Sequence, residues 1–195
     1  MRQADRAYDG SERMAEADKE RPEPITTLMA EDHRRLDGLL RSATTIADQI
    51  DHNVYDQFRA GLLRHIGMEE KLLLPTVQRW RGGESLPVAA KLRLDHGALA
   101  TLLMPTPTPQ ILATIRRILS DHNRLEEDPE GLYVLCDQLP TAEMEPLLAA
   151  LQAVPLPIVM RHSDSSAVMK TLKGALARAG YRLEPVAASE VVKPR

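Results

Sequence analysis

The sequence predicts an all-α fold: an up-down-up-down four-helix bundle with an internal two-fold repeat, followed by a C-terminal appendage. Apolar residues make up 43% of the chain but aromatic residues only 3%. The core must therefore consist mainly of aliphatic side chains, which suit helices better than strands. Four segments with a helical apolar period each carry a histidine, and the last two segments repeat the pattern of the first two.

The first two predicted helices form one half of the repeat. The first is expected over about residues 26–50 and places His33 on its apolar side. The second is expected over about residues 54–80, with His65 and Glu69 one helical turn apart in its apolar stripe. Charged residues are rarely buried without a partner, so this stripe indicates that the pair has a binding role.

The third and fourth predicted helices repeat the arrangement. The third is expected to begin near Ser85 and carries His96, and the fourth begins with Thr108 as its N-cap. His122 and Glu126 in the fourth helix have the same spacing as the pair in the second. The stretch of chain between corresponding histidines is nearly constant, which is not expected by chance. The repeat therefore predicts approximate two-fold symmetry with a site at the centre of the bundle.

The two ends of the chain differ from this repeat. Residues 1–24 are charged and poor in apolar side chains, which predicts a mobile N-terminal tail before the bundle at residues 25–140. Residues 141–195 form the appendage, which is helical or, if residues 156–160 form a short strand, β-α-β. We expect the appendage to pack on the bundle or on a second copy of the chain, which would make a homodimer.

Charge and hydropathy exclude several classes of partner. Lysine and arginine number 25 against 28 acidic residues, a net charge of −3, so we expect no nucleic-acid partner. No apolar run reaches the roughly 20 residues that span a bilayer, and the N-terminus lacks the apolar segment of a secretory signal. With the single cysteine Cys136, these features predict a cytoplasmic protein without a membrane partner.

The predicted site contains six candidate metal ligands: His33, His65, Glu69, His96, His122 and Glu126. Imidazole and carboxylate ligands together suit iron, manganese or zinc. Six ligands around one ion would leave no open position, whereas two ions could take two histidines each and share both carboxylates. An oxo or hydroxo bridge from solvent would then leave one open position per ion for O2, NO or peroxide. Redox-capable iron is the economical choice for such a centre.

Three residues are candidates for contacting these ligands from outside the metal site: Asp37, His52 and Tyr55. Tyr133 could also line the site, although a role in core packing is favoured. The sequence Asp128-Pro129-Glu130-Gly131 interrupts the fourth helix directly after the ligand pair. The second shared carboxylate could therefore be Glu126, Glu127 or Glu130.

These residues resemble the hemerythrin-like, or HHE cation-binding, family of four-helix di-iron proteins. The resemblance covers about residues 26–139 and rests on four motifs: Asp32-His33, His65-x-x-x-Glu69, Asp95-His96 and His122-x-x-x-Glu126. It implies a non-haem di-iron centre bridged by carboxylates and oxygen. Members of the family carry oxygen, sense oxygen or redox state, handle iron, or respond to nitrosative stress.

One departure from the oxygen carriers of this family bears on function. Those proteins use a further histidine one turn after the third-helix histidine, where this chain has Ala100. We therefore expect a di-iron protein that binds or reacts with O2, NO or peroxide in sensing or in oxidative or nitrosative stress. The alternative is an iron or zinc binding, delivery or storage module that signals through a protein partner. An enzyme using the open positions is compatible with the same ligands.

Overall fold

The computed structural model describes residues 24–44 and 49–185, and all regular secondary structure within these residues is helical. The predicted all-α fold is thereby confirmed. The expected N-terminal tail, apart from Pro24, and the last ten residues of the appendage lie outside the described residues. In chain order the helices are α1 (Ile25–Ser42), α2 (His52–Met68), α3 (Leu74–Trp80), α4 (Ala89–Leu102), α5 (Pro109–Glu127), α6 (Leu132–Asp137), α7 (Thr141–Ala153) and α8 (Ser166–Ala179).

Local capping sets where the long helices begin. The carboxylate of Asp51 accepts hydrogen bonds from the backbone N–H groups of Asn53 and Val54, so α2 starts at His52, earlier than predicted. The Thr108 hydroxyl accepts from the N–H of Ile111, as expected for the N-cap of α5. In contrast, α1 ends at Ser42 and α4 begins only at Ala89, so both helices are shorter than their apolar patterns suggest.

A π-helical turn, Glu69–Leu73, joins α2 to α3. Pro75 follows this turn and has no N–H to donate to the carbonyl of Lys71, so regular α-helical bonding cannot continue there. The turn widens instead, and the N–H of Leu74 donates to the carbonyl of Glu69. Single π-turns within helices are common at functional sites, and this one starts at a candidate ligand.

Two apolar clusters form the core. The first contains residues of α1, α2, α3, α4, α6 and α7, and the second contains residues of α1, α2, α4, α5 and α8. The helix α7 contributes Met144 and Leu151 to the first cluster, and α8 contributes Leu172 and Leu176 to the second. The expected appendage therefore packs on the same chain through both of its helices.

The strand predicted over residues 156–160 is absent, so the β-α-β alternative for the appendage was wrong over its described part. These residues have no regular secondary structure and pair with no strand among the described residues. Pro155 and Pro157 have no N–H groups and cannot donate to a β-ladder. Ile158 is 95% exposed, so this segment is not covered by the core. Within residues 24–44 and 49–185, no helix has the length and apolar character needed to cross a membrane.

Candidate metal centre

The structure brings the six predicted ligands together between the long helices. His33 lies on α1, His65 on α2, His96 on α4 and His122 on α5, while Glu69 begins the π-turn and Glu126 lies at the end of α5. All six are buried, and the most exposed of them, His33, is only 7% exposed. Both glutamates are 0% exposed, which is rare for carboxylates that have no counter-charge.

Four of these side chains form the first ligand group: His33, His65, Glu69 and Glu126. The Nε2 atoms of His33 and His65 lie 2.9 Å apart. His65 Nε2 is 3.2 Å from Oε1 of Glu69, and His33 Nε2 is 3.4 Å from Oε2 of Glu126. Two imidazole nitrogens and two carboxylate oxygens therefore converge, which is a donor set suited to a divalent transition metal.

The second ligand group repeats this geometry with His96 and His122. Their Nε2 atoms lie 3.1 Å apart. His96 Nε2 is 3.1 Å from Oε2 of Glu69, and His122 Nε2 is 3.1 Å from Oε1 of Glu126. Each glutamate thus directs one oxygen towards each group, as a bridging carboxylate does.

Two unpartnered carboxylate oxygens in the second group indicate that its residues fit a cation. Glu69 Oε2 and Glu126 Oε1 are buried and have no hydrogen-bond partner among the described residues. An unpartnered buried carboxylate oxygen is costly because it has lost its contact with water. A cation between these oxygens and the two Nε2 atoms would satisfy both carboxylates.

Two further carboxylates contact the ligands from outside the groups. His33 Nδ1 lies 2.6 Å from Oε1 of Glu127, and His96 Nδ1 lies 2.6 Å from Oε1 of Glu70. An Nδ1–H that donates to a carboxylate leaves the Nε2 lone pair directed into the site. The sequence did not predict either contact, since Glu127 was considered only as an alternative shared carboxylate and Glu70 was not a candidate.

The geometry also distinguishes the three glutamates considered for the second shared carboxylate. Glu126 faces both ligand groups, and Glu127 faces the outer nitrogen of His33. Glu130 is exposed in the loop after α5, where its backbone N–H donates to the Asp128 side chain. The helix continues through Glu127, so the ligand pair keeps its helical spacing and Glu126 takes the position expected from the repeat.

The aspartates of the two Asp-His pairs lie beside the outer nitrogens of the remaining histidines. His65 Nδ1 lies 2.9 Å from Oδ2 of Asp32, and His122 Nδ1 lies 3.5 Å from Oδ2 of Asp95. Each aspartate therefore lies next to the histidine of the neighbouring helix, not next to the one that follows it in sequence. Three of the four candidate histidine ligands therefore have a hydrogen-bonded outer carboxylate, as metal-bound histidines usually do, whereas His122 Nδ1 and Asp95 Oδ2 have no hydrogen-bond partner among the described residues.

The pKa values show that the cluster attracts positive charge. Burial alone would lower the pKa of His65, but the charge of Glu69 and the hydrogen bond to Asp32 raise it to about 10. The same competition, with several carboxylates outweighing burial, raises the pKa of His96 to about 11 and that of His122 to about 9. Carboxylate charge thus exceeds what neutral histidines can balance, and bound cations would supply the difference.

Tyr133 is the main feature of the site that sequence reasoning assigned elsewhere. It is 0% exposed on α6, and its hydroxyl oxygen lies 3.0 Å from Oε2 of Glu126 and in close contact with Oε1 of Glu69. The sequence favours core packing for this residue, and Tyr133 does belong to the first apolar cluster. Its hydroxyl nevertheless lies within the first ligand group, and no spacing rule relates it to the histidines.

The three residues expected to contact the ligands have other contacts. Asp37 forms an ion pair with Arg41 on the surface of α1 and lines the cavity described below. His52 is exposed, and its ring lies 6.4 Å from that of His162. Tyr55 is buried, and its ring stacks on His162 at 6.1 Å.

A cavity of about 360 Å³ borders both ligand groups, because its lining includes His33 and His65 of the first group and His122 of the second. Its apolar wall includes Leu36, Leu62 and Leu99. A cavity of this size admits molecules far larger than a diatomic gas, since small-molecule sites begin at roughly 300 Å³. The cavity provides a path by which a ligand from outside can reach the centre.

Comparison with known proteins agrees with this geometry. The model of the hemerythrin HHE cation-binding domain matches residues 25–154, which include the six candidate ligands and extend through α7. No curated protein and no solved structure matches the chain. The family resemblance seen in the sequence is thereby confirmed, and the chain belongs to the hemerythrin HHE cation-binding domain family.

Proposed function

We propose that this chain is a non-haem di-iron protein that binds or reacts with O2, NO or peroxide in sensing or in a response to oxidative or nitrosative stress. The ions would be held by His33, His65, Glu69, His96, His122 and Glu126 within an up-down-up-down arrangement of α1, α2, α4 and α5. Zinc or manganese would fit the same donors. We further propose a cytoplasmic location, with the buried Cys136 as a free thiol.

One observation carries the proposal: two groups of four ligand atoms share both carboxylates and no other residue. A single mononuclear site would use only half of these buried donors. Two ions satisfy all four histidines and both oxygens of each glutamate. Iron is proposed because a bound pair of irons supplies one-electron and two-electron chemistry to small oxygen or nitrogen ligands.

The surrounding residues suit that role. The outer carboxylates Glu127, Glu70 and Asp32 orient the histidine rings through Nδ1. Leu36, Leu62 and Leu99 give the cavity an apolar wall beside the ligand groups. A small ligand can therefore approach the two groups through the cavity.

The test is anaerobic loading of the full chain with ferrous iron, followed by metal analysis and addition of O2, NO or peroxide. We expect about two irons per chain, as paired ligand groups require, and a change of absorption spectrum with at least one of the three ligands. His52→Ala serves as a control, because this histidine lies outside both groups. A chain that binds iron but whose spectrum is unchanged by all three ligands contradicts a reactive centre.

The second candidate function is an iron or zinc binding, delivery or storage module that signals through a protein partner or a second copy of the chain. The exposed apolar side chains of Leu156, Ile158 and Met160, between α7 and α8, favour it. If this segment is the contact, replacing Ile158 and Met160 with serine leaves metal content unchanged and abolishes the association. Unchanged sedimentation of the variant relative to a wild-type complex or dimer would exclude that contact.

A further inference from the structure

We propose that the hydroxyl oxygen of Tyr133 is a fifth protein ligand of the cation held by His33, His65, Glu69 and Glu126. The inference rests on the proposed di-metal centre and specifies how its two ions differ. It would make the first ion more completely coordinated by protein than the second.

The position of the hydroxyl carries the argument. Its oxygen lies 3.2 Å from Nε2 of His33, 3.3 Å from Nε2 of His65 and 3.0 Å from Oε2 of Glu126, and it also contacts Oε1 of Glu69. It is therefore adjacent to every ligand atom of the first group at once. A phenol has one hydrogen and so can donate to only one of the two carboxylate oxygens that Tyr133 contacts.

The second group has no equivalent oxygen from the described residues. Its carboxylate oxygens, Glu69 Oε2 and Glu126 Oε1, lack hydrogen-bond partners, whereas Tyr133 contacts the other oxygen of each glutamate. Tyr133 follows Glu126 by seven residues. The residue at the same spacing after Glu69 is Thr76, whose hydroxyl accepts a hydrogen bond from Arg79 instead. The internal repeat is therefore broken at this position.

The local backbone fixes Tyr133 in place. Gly131 precedes α6, and a Cβ at this position would lie 2.7 Å from the carbonyl oxygen of Leu125 and 2.8 Å from that of Asp128. Only a residue without a side chain allows α6 to begin so close to the end of α5. The short connection holds the tyrosine against the ligand pair that ends α5, and the first apolar cluster surrounds its ring.

Tyr133 and the cavity approach the centre from different parts of the core. The tyrosine belongs to the first apolar cluster, whereas Leu36, Leu62 and Leu99 of the cavity wall belong to the second. Tyr133 does not line the cavity. Coordination by the tyrosine thus leaves the cavity-facing side of the centre free for an exchangeable ligand.

Binding of the tyrosine to the ion changes one O–H bond and requires no redox step. On binding, a bond would form between the phenol oxygen and a ferric ion, the O–H bond would break, and the proton would be released to solvent. No electron is transferred and no further reactant is needed. Phenolate bound to ferric iron has a visible charge-transfer absorption, and excitation in that band enhances the ring vibrations of the tyrosine in a resonance Raman spectrum.

The experiment uses the full chain loaded with iron and oxidised to the ferric state, with iron counted in every sample. We expect phenolate ring vibrations in the wild type that shift when the chain contains ring-deuterated tyrosine. The labelled wild type tests the proposal without any substitution, so it does not depend on how a variant folds. Tyr133→Phe should lose these vibrations while still binding iron. Tyr55→Phe is the matched control, because Tyr55 is equally buried and its hydroxyl has no hydrogen-bond partner within residues 24–44 and 49–185.

The outcomes separate the two levels of inference. Iron-loaded wild-type protein without phenolate vibrations, or vibrations that persist in Tyr133→Phe, overturns the ligand role of Tyr133 and leaves the di-iron proposal intact. Failure of the wild type to bind iron overturns both.

Discussion

His33 and Glu127 are joined by a contact of 2.6 Å between Nδ1 and Oε1, and His96 and Glu70 are joined at the same distance. Each pair crosses between two helices. A carboxylate in this position holds the imidazole ring at a fixed angle and increases its basicity as a ligand. The two contacts extend the internal repeat beyond the ligands themselves.

We predict that Glu127→Gln weakens metal binding by about 10-fold to 100-fold, as loss of such an outer partner does elsewhere. Glutamine can still accept one hydrogen bond but carries no charge to support the imidazole. A competition titration with a metal-binding dye measures the change. Glu130→Gln is the control, because this exposed glutamate lies in the same segment and contacts neither ligand group. Equal affinities of the two variants would contradict the assigned role of Glu127.

Asp32→Asn should weaken binding at the first ligand group over the same range of about 10-fold to 100-fold. The Asp32 carboxylate contacts His65 Nδ1 at 2.9 Å. Burial alone would raise the pKa of Asp32, but the contacts with His65 and Arg35 lower it to about 2. Asp37→Asn is the matched control in the same helix, since Asp37 pairs with Arg41 at the surface. If the Asp37 variant shows the larger loss of affinity, the sequence-based role of Asp37 is correct and the account of Asp32 is wrong.

His65→Ala should reduce iron content from about two ions per chain to about one, because it removes one of four donors from the first group only. The second group keeps His96, His122 and both glutamates. Metal analysis after dialysis gives the count, and His52→Ala should retain the wild-type value. Complete loss of iron with an intact helical circular dichroism spectrum would show that the two groups bind only as a unit.

Gly131→Ala should lower the free energy of unfolding by about 1–3 kcal/mol, the usual cost of a forced overlap. The new methyl group would meet backbone carbonyls of the α5 terminus, which cannot move aside as a flexible side chain can. Gly38→Ala in α1 meets nothing within 4 Å and should raise stability by about 0.5–1 kcal/mol, because alanine favours helix. Urea denaturation of both variants measures the contrast. Equal stabilities would mean that the α5–α6 connection relaxes freely.

The ligand pairs were predictable because they depend on a spacing within one helix. Residues four apart lie on the same helical face, so His65 and Glu69 could be paired from sequence alone. The repetition of that pair as His122 and Glu126 then predicted a second group. Both inferences use only local geometry and the internal repeat.

The outer contacts were not predictable in this way. Glu70 and Glu127 each directly follow a ligand, a position that usually faces solvent on an amphipathic helix. Their partners lie on other helices, and only the packing of those helices brings His96 and His33 within reach. Tyr133 is a stronger case, because its helix follows an irregular loop whose course depends on Gly131.

At residues 156–160 the sequence predicted a strand that the structure does not contain. Its β-branched and aliphatic residues favour a strand, but a strand also needs a neighbour with free hydrogen-bonding groups. No other extended segment among residues 24–44 and 49–185 pairs with it. The prolines at 155 and 157 lack the N–H groups that a β-ladder requires, which accounts for the missing strand.

The measurement that tests the central claim most directly is the iron content and absorption spectrum of the purified chain after loading with ferrous iron and exposure to air. The account predicts about two irons per chain and the charge-transfer bands of a bridged di-ferric centre. Fewer than about one iron per chain after loading, or a full complement of iron with no such bands, would contradict it.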